Sequence, residues 1–228
     1  MSMRINEIFY SLQGEGRLVG VPSIFIRLAG CPLRCRWCDT KYAWDETAGA
    51  QYTIDRIVYE AGQWPCEFVV ITGGEPMINA ELPQLVRRLK HAGKHVTIET
   101  AGIAYVADMP CDLMSISPKL SNSTPADAEL ARLHEESRLD LAVLAEVVAN
   151  YTHQLKFVVD AEDDLEEIEQ TIAQLPGVDA QDVMLMPQGK TRDEVLSKSP
   201  MVAEMCKRCG FVFCQRLQCV LWNNTRQK

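Results

Sequence analysis

The sequence lacks long apolar runs and an excess of positive charge. No stretch of its 228 residues approaches the ~20 consecutive apolar residues that a transmembrane helix needs. The polar opening, residues 1–7, has neither the apolar centre nor the cleavage site of a signal peptide. A formal net charge of −8 argues against broad attraction to phosphate backbones. We therefore expect a cytoplasmic protein that acts on neither membranes nor nucleic acid.

Cysteine, by contrast, is plentiful. Nine cysteines cannot all pair within one chain, and in a reducing compartment they are thiols or metal ligands more often than disulfides. Hydrophobic residues make up 47% of the chain, which is enough for one sizeable core. The sequence has no internal repeat, low-complexity tract or interdomain linker, so we expect a single domain over residues 1–228.

Short β-branched or apolar runs alternate with helical patterns. The predicted strands are residues 24–28, 68–71, 96–99, 113–117, 155–159, 183–186 and 211–214. The predicted helices are residues 53–63 with Thr53 as N-cap, 82–91 with Gly93 as C-cap, 163–175 and 192–207, and residues 119–138 are predicted as a long loop with room for a short helix. This alternation predicts a parallel α/β sheet. Because a complete eight-unit barrel takes ~250 residues, we expect an incomplete, open α/β barrel.

Three cysteines follow the first of these strands in a Cys-x3-Cys-x2-Cys pattern. Cys31, Cys35 and Cys38 therefore lie on a loop at the carboxyl end of a strand, where α/β proteins form their sites. A four-iron cluster with only three cysteine ligands leaves one iron open to a small molecule. A zinc site would need a fourth ligand, and the nearest histidines, His91 and His95, belong to another unit. Reduced structural thiols are the other alternative.

A second motif, Thr-Gly-Gly-Glu-Pro at residues 72–76, follows the next strand directly. Glycines let backbone groups approach a ligand closely, and polar atoms around Gly74 and Glu75 can then contact it. The alternative is an ordinary strand-to-helix turn.

Several polar side chains fall where they can face the same site. On the first predicted strand, Arg27 alternates with the apolar residues and can point into the barrel, where its guanidinium grips a carboxylate bidentately or forms a salt bridge at the rim. Gln13 carries an amide that offers both a donor and an acceptor. The Thr40 hydroxyl is a hard oxygen ligand suited to Mg²⁺, or a capping group. Ser117 and Lys119 follow a strand end, and Glu99, Gln154, Lys156 and Gln188 are weaker candidates in similar positions.

The cysteine pattern, with an aromatic residue just before its last cysteine, resembles the signature of the radical S-adenosylmethionine superfamily, and the Gly-Gly-Glu turn resembles that superfamily's second motif. The resemblance implies a 4Fe-4S cluster on Cys31, Cys35 and Cys38. It also implies that the methionine part of S-adenosylmethionine chelates the free iron, and that one electron then cleaves the sulfonium to a 5′-deoxyadenosyl radical.

Nearly the whole chain resembles one family, the 7-carboxy-7-deazaguanine synthases. The likeness rests on the Leu-Gln-Gly-Glu-Gly sequence at residues 12–16, Arg27, the cysteine motif, Asp39-Thr40, residues 72–74 and Ser-Pro-Lys at 117–119. It is strongest over residues 8–44 and 116–124 and thin beyond Gln188. The family implies a carbon–nitrogen lyase that contracts 6-carboxy-5,6,7,8-tetrahydropterin to 7-carboxy-7-deazaguanine with loss of ammonia, toward queuosine. It also implies Mg²⁺, a homodimer and a reductase or flavodoxin-type electron donor.

The family resemblance assigns roles to residues. It implies a substrate-binding N-terminal extension, residues 1–23, on a radical S-adenosylmethionine core, and a C-terminal tail from about residue 215 to 228. The implied substrate contacts are Leu12, Gln13, Gly14, Arg27 and Thr72, with Thr40 on Mg²⁺. The implied S-adenosylmethionine contacts are Trp37, Cys38, Asp39, Gly74, Glu75, Ser117, Pro118, Lys119 and Gln188.

The C-terminal region departs from the family pattern in two ways. Some relatives place a terminal proline carboxylate at the substrate, whereas this sequence reads Arg-Gln-Lys at residues 226–228. Cys206, Cys209, Cys214 and Cys219 can also hold a second cluster or zinc, although buried thiols are favoured. Two other functions remain open: an activase that makes a glycyl radical on a partner protein, and a non-catalytic iron–sulfur or zinc module.

Overall fold

A computed structural model describes residues 1–223 and 225–228. Its strands are β1 (Ser2–Leu12), β2 (Pro22–Leu28), β3 (Ala50–Thr53), β4 (Phe68–Gly73), β5 (His95–Thr100), β6 (Leu113–Ile116), β7 (His153–Val159), β8 (Val183–Pro187) and β9 (Val212–Phe213). Its helices are α1 (Ile54–Ala61), α2 (Leu82–His91), α3 (Ala128–Ser137), α4 (Leu141–Asn150), α5 (Asp164–Ile172), α6 (Arg192–Cys209) and α7 (Leu217–Trp222). No helix among these residues is both long and apolar enough to span a membrane.

The strands form one sheet in the order β3-β1-β2-β4-β5-β6-β7-β8-β9. Strands β2 and β4 to β9 pair in parallel, whereas β1 pairs antiparallel with both β2 and β3. Because β3 and β9 lie at opposite edges, the sheet does not close on itself. The predicted partial α/β barrel with parallel strands is therefore confirmed.

The side chains of β2 show how one strand serves both the core and the site. Ile24, Ile26 and Leu28 are buried in the main hydrophobic core with helix residues such as Ile57 of α1 and Leu85 of α2. Successive side chains of a strand point to opposite faces, and Phe25 and Arg27 line a cavity on the other face. The alternation read from the sequence is thus present in the fold.

Helix boundaries follow local capping signals. The Thr53 side chain accepts a hydrogen bond from the Arg56 backbone N–H, as an N-cap does. The predicted C-cap of α2 is wrong by one residue: the helix ends at His91, Ala92 is its C-cap, and Gly93 follows in the left-handed region, the position that glycine favours just after a helix. In the predicted loop at 119–138, a 3-10 turn at Ser121–Ser123 precedes the ten-residue helix α3, which the Asp127 side chain caps. Helices α4 and α7 and strands β1 and β3 were not among the elements predicted from the sequence.

Candidate active site

One cavity of about 300 Å³ opens at the carboxyl-terminal side of the parallel strands. Arg27 of β2, Thr72 of β4 and Lys156 of β7 all face it. Of the residues singled out in the sequence, those lining it are Leu12, Gln13, Gly14, Arg27, Cys31, Cys35, Trp37, Cys38, Asp39, Thr40, Thr72, Gly74, Glu75, Glu99, Ser117, Lys119 and Lys156. Three candidates, Pro118, Gln154 and Gln188, are not on the lining. The Gln188 side chain instead accepts a hydrogen bond from Lys198 Nζ (2.7 Å).

The cysteine loop is held by backbone hydrogen bonds at both ends. Gly30 and Cys31 donate to the carbonyls of Ala43 and Trp44, at 2.9 and 3.2 Å. Further along, Arg36 donates to the Ser123 carbonyl at 2.9 Å. All three thiols line the cavity, so the loop brings the predicted ligands to one place.

The three thiols have environments that oppose ionisation. Burial raises the pKa of Cys31 to about 12, with the Glu75 carboxylate as the second cause. Burial also raises the pKa of Cys35 and of Cys38, and the Lys119 ammonium partly offsets this for both. A bound metal deprotonates a coordinating thiol outright, so the loop needs the charge of its own metal to become a set of thiolates.

The ligand set fits a four-iron cluster better than a single ion. No fourth cysteine is among the residues that line the cavity. Nowhere in residues 1–223 and 225–228 do three or more His, Cys, Asp or Glu side chains group closely enough to hold one metal ion. In a cluster each cysteine binds a different iron, so three thiols on one loop supply three of its four corners.

The Gly-Gly-Glu turn supports the cysteine loop directly. Gly74 and Glu75 donate backbone hydrogen bonds to the Leu28 and Gly30 carbonyls, at 3.0 and 2.8 Å. A Cβ atom on Gly74 would lie 1.9 Å from the Gly30 oxygen and 2.9 Å from the Cys31 nitrogen. These short distances explain why a glycine stands at position 74: without a side chain, it lets two loops of the protein approach each other. The sequence alone did not reveal this role.

We expect Gly74→Ala to weaken cluster binding about 10–100-fold, the usual range when the surroundings of a metal ligand are disturbed. The added methyl group would push the Gly30–Cys31 backbone away from its position. Iron and sulfide content after a chelator challenge measures the effect. Gly62→Ala is the control, since Gly62 has an ordinary helical backbone (φ −74°, ψ −8°) and a Cβ there would meet only the Tyr59 and Val58 carbonyl oxygens, at 3.3 and 3.4 Å. Equal cluster retention by the two variants would contradict this role.

The Glu75 side chain is buried and largely occupied. Its carboxylate accepts hydrogen bonds from the Met77 backbone (3.0 Å), the Thr100 hydroxyl (2.6 Å) and the Ala101 backbone (2.7 Å). Burial nevertheless raises the pKa of Glu75 above its usual range. A carboxylate has about four lone-pair sites, so roughly one acceptor position remains on Oε2, the atom bonded only to Ala101.

Arg27 and Glu7 form an ion pair at the cavity wall. Arg27 Nε donates to Glu7 Oε1 at 2.8 Å, and the guanidinium carbon lies 5.9 Å from the ring centres of both Phe9 and Tyr42. Within the described chain, no hydrogen bond engages the Nη atoms of Arg27. Both sequence interpretations therefore fit: Nε forms the salt bridge, and the outer edge of the guanidinium is free for an anion.

Glu7 also fixes the C-terminal tail. Its second oxygen accepts from Arg226 Nε (2.8 Å) and Gln227 Nε2 (3.0 Å), and Tyr42 donates to the first at 2.9 Å. Burial alone would raise the pKa of Glu7, but the hydrogen bonds from Arg226 and Arg27 lower it below the usual range. Neither Glu7 nor the tail contact was identified from the sequence.

A second buried ionic network crosses the cavity. Glu15 accepts from Lys156 Nζ (3.0 Å), Arg216 Nε (3.2 Å) and Gln218 Nε2 (2.8 Å). Arg216 also pairs with Asp39. Burial opposes ionisation of Glu15, but the Lys156 and Arg216 charges outweigh it and lower the Glu15 pKa. The network joins the loop at residues 12–16 to the cysteine loop and to the start of helix α7. Arg216 was not identified from the sequence.

Gln13 belongs to the same network. Its Nε2 donates to Glu99 Oε1 at 3.2 Å and its Oε1 accepts from the Glu15 backbone at 3.0 Å. Since an amide nitrogen carries two protons, one N–H of the side chain is left for a ligand. The predicted substrate contact of Gln13 thus has less free hydrogen-bonding capacity than the sequence indicated.

Arg216→Met should lower the free energy of unfolding by about 3–5 kcal/mol, the usual cost of leaving buried partner charges uncompensated. Glu15 and Asp39 would both lose their guanidinium partner. Urea denaturation measures the change. Arg208→Met removes an ion pair whose side chains are more than half exposed and should cost no more than about 1 kcal/mol. A similar small loss in both variants would show that the buried network contributes little.

The remaining candidates lie beside the cysteine loop. Thr40 Oγ1 donates to Asp39 Oδ1 at 2.8 Å, so the predicted Mg²⁺ ligand sits next to a carboxylate. Lys119 Nζ donates to the Ser117 hydroxyl at 2.9 Å and lies 5.6 Å from the Trp37 ring centre. These contacts bring together the end of β6 and the aromatic residue that precedes the last cysteine.

The four C-terminal cysteines do not share a site. Cys206 packs in the main core, Cys209 lies 3.6 Å from Glu169, Cys214 accepts from the Gly16 backbone at 3.1 Å, and Cys219 faces the Gly189 carbonyl. Cys206, Cys214 and Cys219 are buried, and Cys209 is half-buried. Their different neighbours support the interpretation as separate thiols.

Comparisons with known proteins show to which family this chain belongs. A model of the radical SAM superfamily matches residues 25–145, more than half of the chain. The 7-carboxy-7-deazaguanine synthase of Halobacterium salinarum is 39% identical over 98% of this chain and 91% of its own length. The chain belongs to the 7-carboxy-7-deazaguanine synthase family. The synthase of Rhodopirellula baltica is 41% identical over 99% of this chain and 88% of its own length.

A solved structure of the family agrees with the fold described above. The crystal structure of QueE from Escherichia coli superposes with a TM-score of 0.75 at 27% identity, covering 95% of each chain. Membership in the radical SAM superfamily brings a 4Fe-4S cluster and S-adenosylmethionine with it. The three cysteines that share the cavity are the ligands available for that cluster.

Proposed function

We propose that this chain is a carbon–nitrogen lyase that contracts 6-carboxy-5,6,7,8-tetrahydropterin to 7-carboxy-7-deazaguanine, with loss of ammonia, in queuosine biosynthesis. The observation that carries this proposal is the close association of three cysteines, the Gly-Gly-Glu turn and a free guanidinium edge on one cavity. The family membership supports the same reaction.

Cys31, Cys35 and Cys38 would hold the cluster. With S-adenosylmethionine bound, the reduced cluster supplies the one-electron cleavage that starts radical chemistry. Ser117 and Lys119 are suited to the cofactor's carboxylate or ribose, and Glu75 Oε2 has one acceptor position left for its ammonium. Trp37, Asp39 and Gly74 would complete the contacts, whereas Pro118 and Gln188, which the sequence also indicated, lie off the cavity lining and receive no contact here.

Arg27 would bind the substrate carboxylate. Its Nη atoms can make two parallel hydrogen bonds to a carboxylate, while Glu7 holds Nε and fixes the plane of the guanidinium. Thr72 is the register partner of Arg27 on the neighbouring strand, so its hydroxyl falls beside the same group. Leu12, Gln13 and Gly14 would then contact the pterin ring from the opposite loop.

We infer further roles that follow the family. Thr40, beside Asp39, would bind Mg²⁺ through its hydroxyl, with water and substrate oxygens as remaining ligands. The chain would act in the cytoplasm as a homodimer and accept electrons from a flavodoxin-type donor. Residues 1–23 would be a substrate-binding extension of a single radical SAM domain, and residues 215–228 a C-terminal tail, of which Arg226 contacts Glu7 in that extension.

Product identification tests the proposed function. The chain is reconstituted anaerobically with iron and sulfide, then incubated with the carboxytetrahydropterin, S-adenosylmethionine and dithionite. We expect 7-carboxy-7-deazaguanine by mass spectrometry. Uncoupled 5′-deoxyadenosine without that product would point to an activase, and the absence of both would point to a non-catalytic module.

A further inference from the structure

A buried glutamine beneath the cavity holds the loop at residues 12–16 from inside the barrel. Gln154, the second residue of β7, is 2% exposed and lies off the cavity lining. Its side chain shares a strand face with Lys156, which lies on that lining, because alternate residues of a strand point the same way. Gln154 therefore lies one step below Lys156, toward the amino-terminal end of the strand.

Both ends of the Gln154 amide are engaged. Oε1 accepts from the Arg17 backbone N–H at 2.9 Å, and Nε2 donates to Ser115 Oγ at 2.8 Å. Since a backbone N–H can only donate, the amide oxygen must face Arg17 and the amide nitrogen must face Ser115. Ser115 is the register partner of Gln154 on β6. The amide thus joins the residue that follows the loop to two neighbouring strands of the sheet.

The backbone of Gly16 packs directly against the same amide. A Cβ atom at this position would lie 2.1 Å from Gln154 Nε2 and 3.0 Å from Oε1. Gly16 also has a φ of +78°, in the left-handed region that favours glycine, and its N–H donates to Cys214 Sγ at 3.1 Å. Two successive backbone N–H groups, those of Gly16 and Arg17, are therefore bonded to buried side chains. This packing explains the last glycine of the Leu-Gln-Gly-Glu-Gly sequence.

We propose that Gln154 is a positioning residue that fixes the place at which Gln13 and Gly14 meet the pterin, although it touches neither substrate nor cofactor. Helix α7 holds the loop from the other side, where the Leu217 N–H donates to the Gly14 carbonyl at 2.9 Å. Without the amide, the Arg17 N–H loses its acceptor, and the loop occupies its binding position only part of the time. Affinity then falls in the same proportion. This inference rests on the proposed function, because the loop contacts a pterin only there.

The test measures the dissociation constant of the carboxytetrahydropterin by calorimetry, on cluster-loaded protein with S-adenosylmethionine and no reductant. Gln154→Met keeps the length of the side chain but not its hydrogen bonds. We expect the dissociation constant to rise about tenfold, the effect of losing one buried hydrogen bond. Iron content and uncoupled 5′-deoxyadenosine formation with dithionite should stay at their wild-type values. Gln170→Met, which removes an exposed amide on α5, should change none of these quantities.

Hydrogen exchange tests the tether without any substrate. Gln154→Met should open the Arg17 N–H to solvent about tenfold more often, and a peptide spanning residues 13–21 shows this by mass spectrometry. An unchanged dissociation constant in Gln154→Met, with or without faster exchange, would overturn the proposal. Failure of the wild type to bind the pterin would instead reject the proposed function and this role with it, whatever the exchange result.

Ser115→Ala replaces Gln154→Met in both measurements if the latter does not fold. It removes only the hydroxyl that holds Gln154 Nε2. We expect a smaller effect in the same direction, about threefold in the dissociation constant and in the exchange of the Arg17 N–H. Because Ser115 lines the cavity, it is the exchange that separates the two explanations. A weaker affinity with unchanged exchange would show a direct contact of Ser115 with the substrate and would overturn the positioning role.

Discussion

Cys35→Ala should reduce 5′-deoxyadenosine formation to the background rate. The other two cysteines cannot hold a cube of four irons whose open corner is kept for S-adenosylmethionine, and the cavity lining offers no replacement thiol. The measurement is cofactor cleavage with dithionite as reductant, together with iron and sulfide content. Both should fall, because the cluster and the activity depend on the same ligand.

Cys209→Ala is the matched control for that variant. Its sulfur is half-buried, contacts Glu169 and lies outside the cavity lining. It should keep a full cluster and wild-type cleavage. If Cys209→Ala lost as much activity as Cys35→Ala, or if Cys35→Ala kept its activity, the assignment of the cluster loop would be wrong.

Arg27→Ala should raise KM for the pterin about 100-fold while cluster assembly and cofactor cleavage persist. Two hydrogen bonds to a charged group contribute about 3 kcal/mol or more together, and each 1.4 kcal/mol is a factor of ten. Arg27→Lys keeps the charge but not the bidentate geometry, so we expect an intermediate loss of about tenfold.

The control for Arg27 is Arg56→Ala, which removes an exposed helical ion pair with Glu60. It should change KM less than twofold. Steady-state kinetics with varied pterin concentration make the comparison. A KM for Arg27→Ala equal to that of Arg56→Ala would show that the guanidinium edge does not bind the substrate.

The parts of this molecule that the sequence predicts well depend on local patterns. The period-two alternation of β2 places Arg27 on the cavity face, and the N-cap of α1 lies at Thr53 as predicted. The cysteine spacing predicts a ligand set because one short loop after one strand carries all three residues. In each of these cases a few neighbouring residues contain the whole signal.

The missed groups depend on contacts between distant parts of the chain. Arg216 and Asp39 are 177 positions apart, and Arg226 and Glu7 are 219 apart. No periodicity or motif signals such pairs, since each side chain alone looks like an ordinary charged residue. The one available sign was Glu15, a charged residue between two glycines in a motif whose neighbours already had roles.

The Gly-Gly-Glu turn is a third case. Its residues were identified from the sequence, but the role inferred for them was incomplete. The sequence indicated close approach to a ligand, whereas Gly74 lies against the Gly30 carbonyl and Glu75 accepts three hydrogen bonds from the protein. The turn therefore organises the cysteine loop as well as facing the cavity. Packing of two loops is a tertiary contact, which the local sequence does not encode.

The most direct test of the account is a Mössbauer spectrum of the iron-57-labelled cluster before and after S-adenosylmethionine is added. The account predicts four irons per chain, of which one has no cysteine ligand and changes its spectrum when the cofactor binds. Four equivalent irons, all unaffected by S-adenosylmethionine, would contradict it.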